Sequence, residues 1–121
     1  MNDILKNEII FQILKFVYLL MIIISKAIIR EFGNRYADSE GPLQSWYELT
    51  AGADWKNFNQ MKSTFNSVDA VGNDRYVFNI KGNAYRLIAL IIFKVRTVFI
   101  LFIGTHQEYD RVNASTVSFK K

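Results

Sequence analysis

The chain has 121 residues, of which 50% are hydrophobic and 21% charged, with a net charge of +4, proportions that suit one small globular domain. It contains no cysteine, which excludes disulfides, thiolate nucleophiles and zinc sites built on cysteine. A single histidine also disfavours a metal site rich in histidine, so no metal or cofactor is expected.

Positive charge is concentrated in the second half of the chain. Residues 56–121 carry ten Lys and Arg residues against four acidic ones, a net charge of +6, whereas residues 26–55 carry −2. A basic region that also bears aromatic residues favours a polyanionic partner such as RNA or DNA. Charge that serves only solubility explains the same excess, so both interpretations stay open on charge alone.

Residues 9–24 are strongly apolar but do not make a clear transmembrane segment. Gln12 and Lys15 interrupt the stretch, and the uninterrupted run 16–24 has nine residues, against the roughly 20 that a helix needs to cross a bilayer. A membrane anchor is therefore not favoured. We expect residues 1–20 to be an extension outside the core fold, either a peripheral helix or the result of a misassigned start, and residues 21–121 to form the domain.

Residues 21–52 predict a strand followed by two helices. The run 21–25 is rich in isoleucine and suits a first strand. From residue 26 to 37, apolar residues recur at spacings of three and four, which is typical of one face of a helix. Pro42 is expected at the first position of the next helix, and Gly52 ends that helix.

The following residues predict a return to a sheet. Residues 55–65 favour an irregular segment or a short helix, and residues 68–71 a short strand. Residues 75–80 alternate between two unequal faces, as a strand does. The tail 113–121 either adds an edge strand or stays mobile.

A hairpin and a third strand complete the predicted sheet. Gly82 and Asn83 tolerate the left-handed conformation and predict a tight turn. The continuous apolar run within 85–95 indicates a central strand buried on both faces, and 98–103 a third strand. His106 then follows where the third strand emerges into solvent. The order of elements predicts an α+β fold, with a helical hairpin packed on one face of a small, mainly antiparallel sheet and the other face free to bind a partner.

Two strings resemble the HigB family of bacterial toxins, which belongs to the larger group of RelE/ParE-like toxins. They are YVFNIKGNAYRLIAL at residues 76–90 and THQEYDRV at residues 105–112, and the resemblance covers about residues 21–112. It implies a RelE/ParE-like fold and a metal-independent endoribonuclease, an mRNA interferase that acts on the translating ribosome in the cytoplasm. It also implies neutralisation by a helix-turn-helix antitoxin, HigA-like, encoded alongside.

Metal-independent cleavage uses the neighbouring 2′-hydroxyl of the RNA as nucleophile, so the protein must move protons and stabilise phosphate charge. Together with the resemblance, this chemistry assigns catalysis to His106, Arg86, Tyr109 and Lys81. It assigns RNA binding to Asn79, Asn83, Lys56, Lys62 and Asp110. His106 is the candidate proton shuttle and Arg86 the candidate phosphate ligand.

Each assignment has a simpler alternative. Arg86 could form a salt bridge with Glu108 or Asp110, His106 could be a surface residue, and Tyr109 could be part of the core. The alternative function is a non-catalytic RelE/ParE-like binding module, either a degenerate toxin or an inhibitor of a protein target. A small membrane-associated protein is a third hypothesis.

Overall fold

The computed structural model describes residues 2–119, without the side chains of residues 16–19. The helices are α1 (Asp3–Leu19), α2 (Lys26–Arg35), α3 (Glu40–Ala51), α4 (Phe58–Thr64) and α5 (His106–Tyr109). The strands are β1 (Ile22–Ile24), β2 (Asp69–Gly72), β3 (Arg75–Ile80), β4 (Tyr85–Ile92) and β5 (Thr97–Thr105). Two short 3-10 helices, Ala37–Ser39 and Phe93–Val95, precede α3 and β5.

The five strands form one sheet in the order β1-β5-β4-β3-β2. The pairs β2/β3, β3/β4 and β4/β5 are antiparallel, and β1 pairs with β5 in parallel. The predicted α+β fold with a mainly antiparallel sheet is confirmed. The strand β4 lies in the middle of the sheet, and its residues Leu87 and Ile88 are fully buried on opposite faces, as its continuous apolar run predicted.

The helical hairpin α2–α3 covers one face of the sheet. Phe32 of α2 meets the ring of Tyr85 edge to face at 5.2 Å, and Trp46 of α3 meets Phe78 at 5.4 Å. Side chains of a strand alternate between its faces. The neighbour of Tyr85 in the chain, Arg86, therefore lies on the sheet face opposite the helices.

The C-terminal segment covers part of this second face. Nε and Nη2 of Arg75 donate to the carbonyl oxygen of Val117 at 3.3 and 2.9 Å, and the rings of Phe99 and Phe119 are 6.1 Å apart. Because Arg75 begins β3 and Arg86 pairs near its other end, the segment covers the far end of the sheet from Arg86. The expectation of a wholly free face is wrong for that end.

None of residues 113–119 joins the sheet, so the predicted edge strand does not form there. Residues 120 and 121 of that prediction lie outside the described residues.

The junction between the two helices differs from the prediction. A 3-10 turn follows α2, and α3 begins at Glu40, so Pro42 is the third residue of α3 and not the first. The first four backbone N–H groups of a helix have no partner within the helix. Proline therefore loses no hydrogen bond at the third position.

The hairpin between β3 and β4 also differs from the predicted tight turn. It is a loop of four residues, 81–84, closed by a hydrogen bond from Ala84 N to Lys81 O at 3.1 Å. Lys81 and Gly82 have positive φ angles of 52° and 61°, whereas Asn83 does not. The left-handed position expected at Asn83 is occupied by Lys81.

The helix α1 presents apolar side chains to solvent. The exposed ones are Ile4, Leu5, Ile9, Ile10, Phe11, Ile13 and Leu14. Within the described part of the chain, no helix is both long enough and apolar enough to cross a membrane.

Candidate active site

Arg86 lies near the start of β4 on the sheet face opposite the helices. The strand register places it between Asn79 of β3 and Gly104 of β5. Its Nη1 donates to the carbonyl oxygens of Asn83 at 3.0 Å and of Tyr85 at 3.3 Å. These two bonds fix the guanidinium at its Nη1 nitrogen. The other donors, Nη2 and Nε, bond to no group among the residues that the structure describes.

Gly104 allows close packing beside Arg86. A Cβ atom at this position would lie 2.4 Å from Cζ of Phe102 and 3.1 Å from Cβ of Glu108. The first distance is far inside van der Waals contact, so any other residue would force the Phe102 ring to move. The glycine therefore lets both the ring and α5 lie close to this end of β5.

A capping box begins α5 directly after β5. The Thr105 hydroxyl accepts from the backbone N–H of Glu108 at 3.2 Å, and the Glu108 carboxylate accepts from the N–H of Thr105 at 3.0 Å. These reciprocal bonds fix the first turn of the helix. Tyr109 ends the helix, and its ring centroid lies 5.8 Å from Cζ of Arg86, a cation–π contact.

His106 is the first residue of α5, and it contacts Asp110. Nδ1 of the imidazole lies 3.3 Å from a carboxylate oxygen of Asp110, and both side chains are more than half exposed. The contact is an ion pair when the imidazole is protonated. A neutral imidazole has one unprotonated ring nitrogen, so His106 can accept a proton from a ligand.

Lys81 lies in the hairpin loop and is bound to Asp38. Its ammonium forms a salt bridge with one carboxylate oxygen of Asp38, and the hydroxyl of Tyr85 donates to the other oxygen. The bond from Lys81, followed by the bond from Tyr85, lowers the pKa of the Asp38 carboxyl below its usual value. The same carboxylate raises the pKa of Tyr85 to about 12, since it favours the protonated phenol.

The predicted residues thus fall into three groups. The Arg86 group comprises Asn79, Asn83 and Tyr109, which neighbour Arg86, with His106 and Asp110 at the two ends of α5, the helix that carries Tyr109. Lys81 is bound to Asp38 on the helix-covered side of the sheet. Lys56 and Lys62 are elsewhere: the Lys56 ammonium lies 4.0 Å from Asp54, and that of Lys62 lies 5.7 Å from the ring of Phe58. Phe58 stacks on Tyr76, which is on the helix-covered face. The two lysines therefore do not contact the Arg86 group.

Sequence reasoning gave Asp38 no role at the site. It is separated by 43 residues from Lys81 and by 47 from Tyr85, so no local spacing could reveal the contact. No other signal in the sequence singled it out. Within residues 2–119, no group of three or more His, Asp and Glu side chains is placed to hold a metal ion.

Comparisons with known proteins agree on one family. A model of the HigB toxin family, the RelE-like toxic component of a toxin-antitoxin system, matches residues 39–112. The mRNA interferase HigB of Escherichia coli O6:H1 is 33% identical over 94 residues, which cover 76% of this chain and 91% of that protein. The mRNA interferase toxin HigB of Escherichia coli K12 is 27% identical over 92 residues, covering 74% and 88%. The chain belongs to the HigB family of RelE-like toxins.

Proposed function

We propose that this toxin is an endoribonuclease that cleaves mRNA with the RNA 2′-hydroxyl as nucleophile. The observation that carries the proposal is Arg86, whose Nη2 and Nε donate to no group among the described residues while Nη1 is held by two carbonyl oxygens. A fixed guanidinium with free donors on an open surface suits a phosphate group. The names of the relatives, which are mRNA interferases, support mRNA as the substrate.

Arg86 is proposed to bind the phosphate that is cleaved. Nη2 and Nε form one edge of the planar guanidinium and can donate two parallel hydrogen bonds to two phosphate oxygens. The phosphate gains negative charge in the transition state, so these bonds become stronger as the reaction proceeds. Losing one such donor typically lowers a rate by about 10²–10³-fold.

His106 is proposed to be the general base. Its Nε2 takes the proton from the 2′-hydroxyl, and the resulting oxyanion attacks the adjacent phosphorus atom. The bond from phosphorus to the 5′-oxygen breaks, and that oxygen takes a proton from water at this exposed site. The products are a 2′,3′-cyclic phosphate and a 5′-hydroxyl end. Asp110, 3.3 Å from Nδ1, stabilises the imidazolium that forms.

The remaining residues are proposed to hold the RNA. Tyr109 can stack on a base next to the cleaved phosphate, as aromatic side chains do in proteins that bind single-stranded RNA. Asn79 pairs with Arg86 in the sheet and Asn83 lies in the loop before β4, so their amide groups can donate to the sugar and phosphate. Lys56 and Lys62, on the other side of the sheet, contribute only to the positive field that attracts RNA.

We further propose that the mRNA is cut on the translating ribosome in the cytoplasm. The antitoxin that the family description pairs with the toxin is proposed to be a helix-turn-helix protein encoded beside it. The ribosome requirement is checked by comparing cleavage of one mRNA free in solution and bound to programmed ribosomes. Equal rates in the two conditions would contradict it.

Single-turnover cleavage of a defined mRNA at saturating protein tests the catalytic assignments. Arg86→Ala is expected to lower the rate by about 10²–10³-fold, and Arg86→Lys to restore only part of it, since it keeps the charge but loses the planar fork. His106→Gln is expected to lower the rate by about 10²–10⁴-fold with the RNA still bound. Arg30→Ala, an exposed arginine of α2, is the control for loss of one positive charge.

The RNA substrate provides a second test. A 2′-deoxy substitution at the cleaved nucleotide should prevent cleavage by the wild-type protein, because it removes the nucleophile. Cleavage of the deoxy substrate would contradict the mechanism. A wild-type protein that arrests growth but cleaves no RNA under either condition would favour the non-catalytic binding module.

A further inference from the structure

Asp38 connects the helical layer to the loop that carries part of the candidate site. It belongs to the 3-10 helix between α2 and α3, and its two carboxylate oxygens accept from Lys81 and Tyr85. These two residues stand at the two ends of the β3–β4 hairpin loop. One carboxylate therefore holds both ends of the loop from the helix-covered side of the sheet.

The same loop holds Arg86 from the other side of the sheet. The two carbonyl oxygens that accept from Nη1 of Arg86 belong to Asn83, within the loop, and to Tyr85, directly after it. A movement of the backbone at residues 83–85 therefore shifts both of the oxygen atoms that accept from Arg86. The direction of the guanidinium thus depends on a backbone segment whose ends are bonded to Asp38.

Few side-chain contacts hold the loop. All four of its residues are exposed, and Lys81 adopts a positive φ of 52°. That conformation costs a residue other than glycine about 1–2 kcal/mol. Tyr85 is better fixed, because its ring packs against Phe32 and Tyr36. Among the described residues, two side-chain bonds reach the loop: the bond from Lys81 to Asp38, and the bond from Arg86 to the carbonyl oxygen of Asn83. Only the first ties the loop to the helical layer.

We propose that Asp38 is a positioning residue for RNA cleavage, which acts by clamping the hairpin loop and thereby fixing the guanidinium of Arg86. This inference rests on the proposed role of Arg86. Lys81 then serves the site by holding the loop, and it does not approach the phosphate. Asp38 itself lies on the helix-covered side and does not touch the RNA.

Cleavage kinetics provide the first test. Asp38→Ala is expected to lower the single-turnover rate at saturating protein by about 10–10²-fold, the size of effect that a small displacement of a catalytic group produces. The dissociation constant for RNA should change little. Glu31→Gln, which removes an exposed acidic charge from α2 without any hydrogen bond to the loop, should keep the wild-type rate and is the matched control. Asp38→Asn, which keeps an acceptor for Tyr85, should fall between Asp38→Ala and wild type.

The mobility of the Arg86 side chain provides a second test, which does not depend on catalysis. Relaxation of the ¹⁵Nε nucleus of Arg86 reports how tightly the guanidinium is held. Asp38→Ala should increase its motion, and Glu31→Gln should not. The proposal is overturned if Arg86 remains as rigid in Asp38→Ala as in wild type, or if the rate is unchanged when the loop is released.

The two proposals fail in different ways. If Arg86→Ala keeps the wild-type rate, the proposed function is wrong whatever Asp38 does. If Arg86→Ala is inactive while Asp38→Ala cleaves normally, only the positioning role is wrong. A thermal melt of each variant is included, and if Asp38→Ala is unfolded, Asp38→Asn and Lys81→Met are measured in its place, with the same expected directions.

Discussion

The phenol of Tyr85 and the carboxylate of Asp38 hold each other in opposite protonation states, and this makes stability depend on pH at both extremes. Asp38 has a lowered pKa in the folded protein, so its contribution is present above its ordinary value of 3.8 and is lost as pH falls through the lowered one. Tyr85 has a pKa of about 12 in place of 10, so its contribution is present below pH 10 and is lost between 10 and 12.

Tyr85→Phe removes this hydrogen bond while keeping the ring. The variant should be less stable than wild type at pH 8, and the difference should shrink as pH rises above 10, because the wild-type phenol then loses its proton. Urea unfolding at several pH values between 8 and 12 measures the difference. A gap that stays constant over that range would show that the lost stability comes from packing and not from the bond to Asp38.

Lys81 shows what sequence reasoning misses at single positions. The hairpin, its strands and the placement of Arg86 followed from alternation and from an unbroken apolar run, which are local patterns. The partner of Lys81 did not, because the salt bridge to Asp38 depends on how α2 and α3 pack on the sheet. Propensity also favours Asn83 over Lys81 for the left-handed position, yet Lys81 occupies it.

The short helix α5 depends on its capping box for its place in the site. It has only four residues, too few to be stable by itself in water. It carries both His106 and Tyr109. The bonds between Thr105 and Glu108 therefore determine where these two side chains lie relative to Arg86.

Thr105→Ala should disturb the site without removing any group that touches RNA. Loss of the cap should destabilise the helix by about 1 kcal/mol, and cleavage should slow because His106 and Tyr109 are held less firmly. Thr105→Ser keeps the hydroxyl and should restore most of the rate. Amide hydrogen exchange at residues 106–109, measured beside the cleavage rate, should increase in Thr105→Ala only. Loss of activity with unchanged exchange would argue that the Thr105 side chain acts directly on the substrate.

Whole elements were predicted better than their ends. The bounds of β3 were right. The strand β4 ends before its predicted end because a 3-10 turn, Phe93–Val95, takes the place of its last residues, and β5 extends beyond the predicted 98–103 at both ends. A strand ends where its backbone hydrogen bonds to the neighbouring strands end. The sequence of one strand alone does not show where that is. The C-terminal segment could not be placed either, because its position depends on Arg75 and Phe99 in distant parts of the chain.

The extension 1–20 is predicted to be dispensable for the domain. Its helix α1 exposes its large apolar side chains over residues 4–14, so most of that surface is not buried against the domain. A protein that begins at Met21 keeps β1 and should melt at nearly the same temperature as the full chain and cleave RNA at the same rate. It should also be more soluble, since exposed apolar surface promotes association. A truncated protein that does not fold would show that α1 stabilises the domain.

The parallel pair β1/β5 has a consequence for how the chain folds while it is being synthesised. Ile22 pairs with Thr97 and Ile24 with Phe99, so the first strand of the sheet finds its partner only near the end of the chain. Contacts so distant in sequence form late and slowly. During synthesis, β4 also lacks one neighbour until β5 has been made, and α5 with His106 follows β5. The growing chain therefore has no complete candidate site until translation has passed residue 110, and a product that ends before His106 lacks α5 altogether.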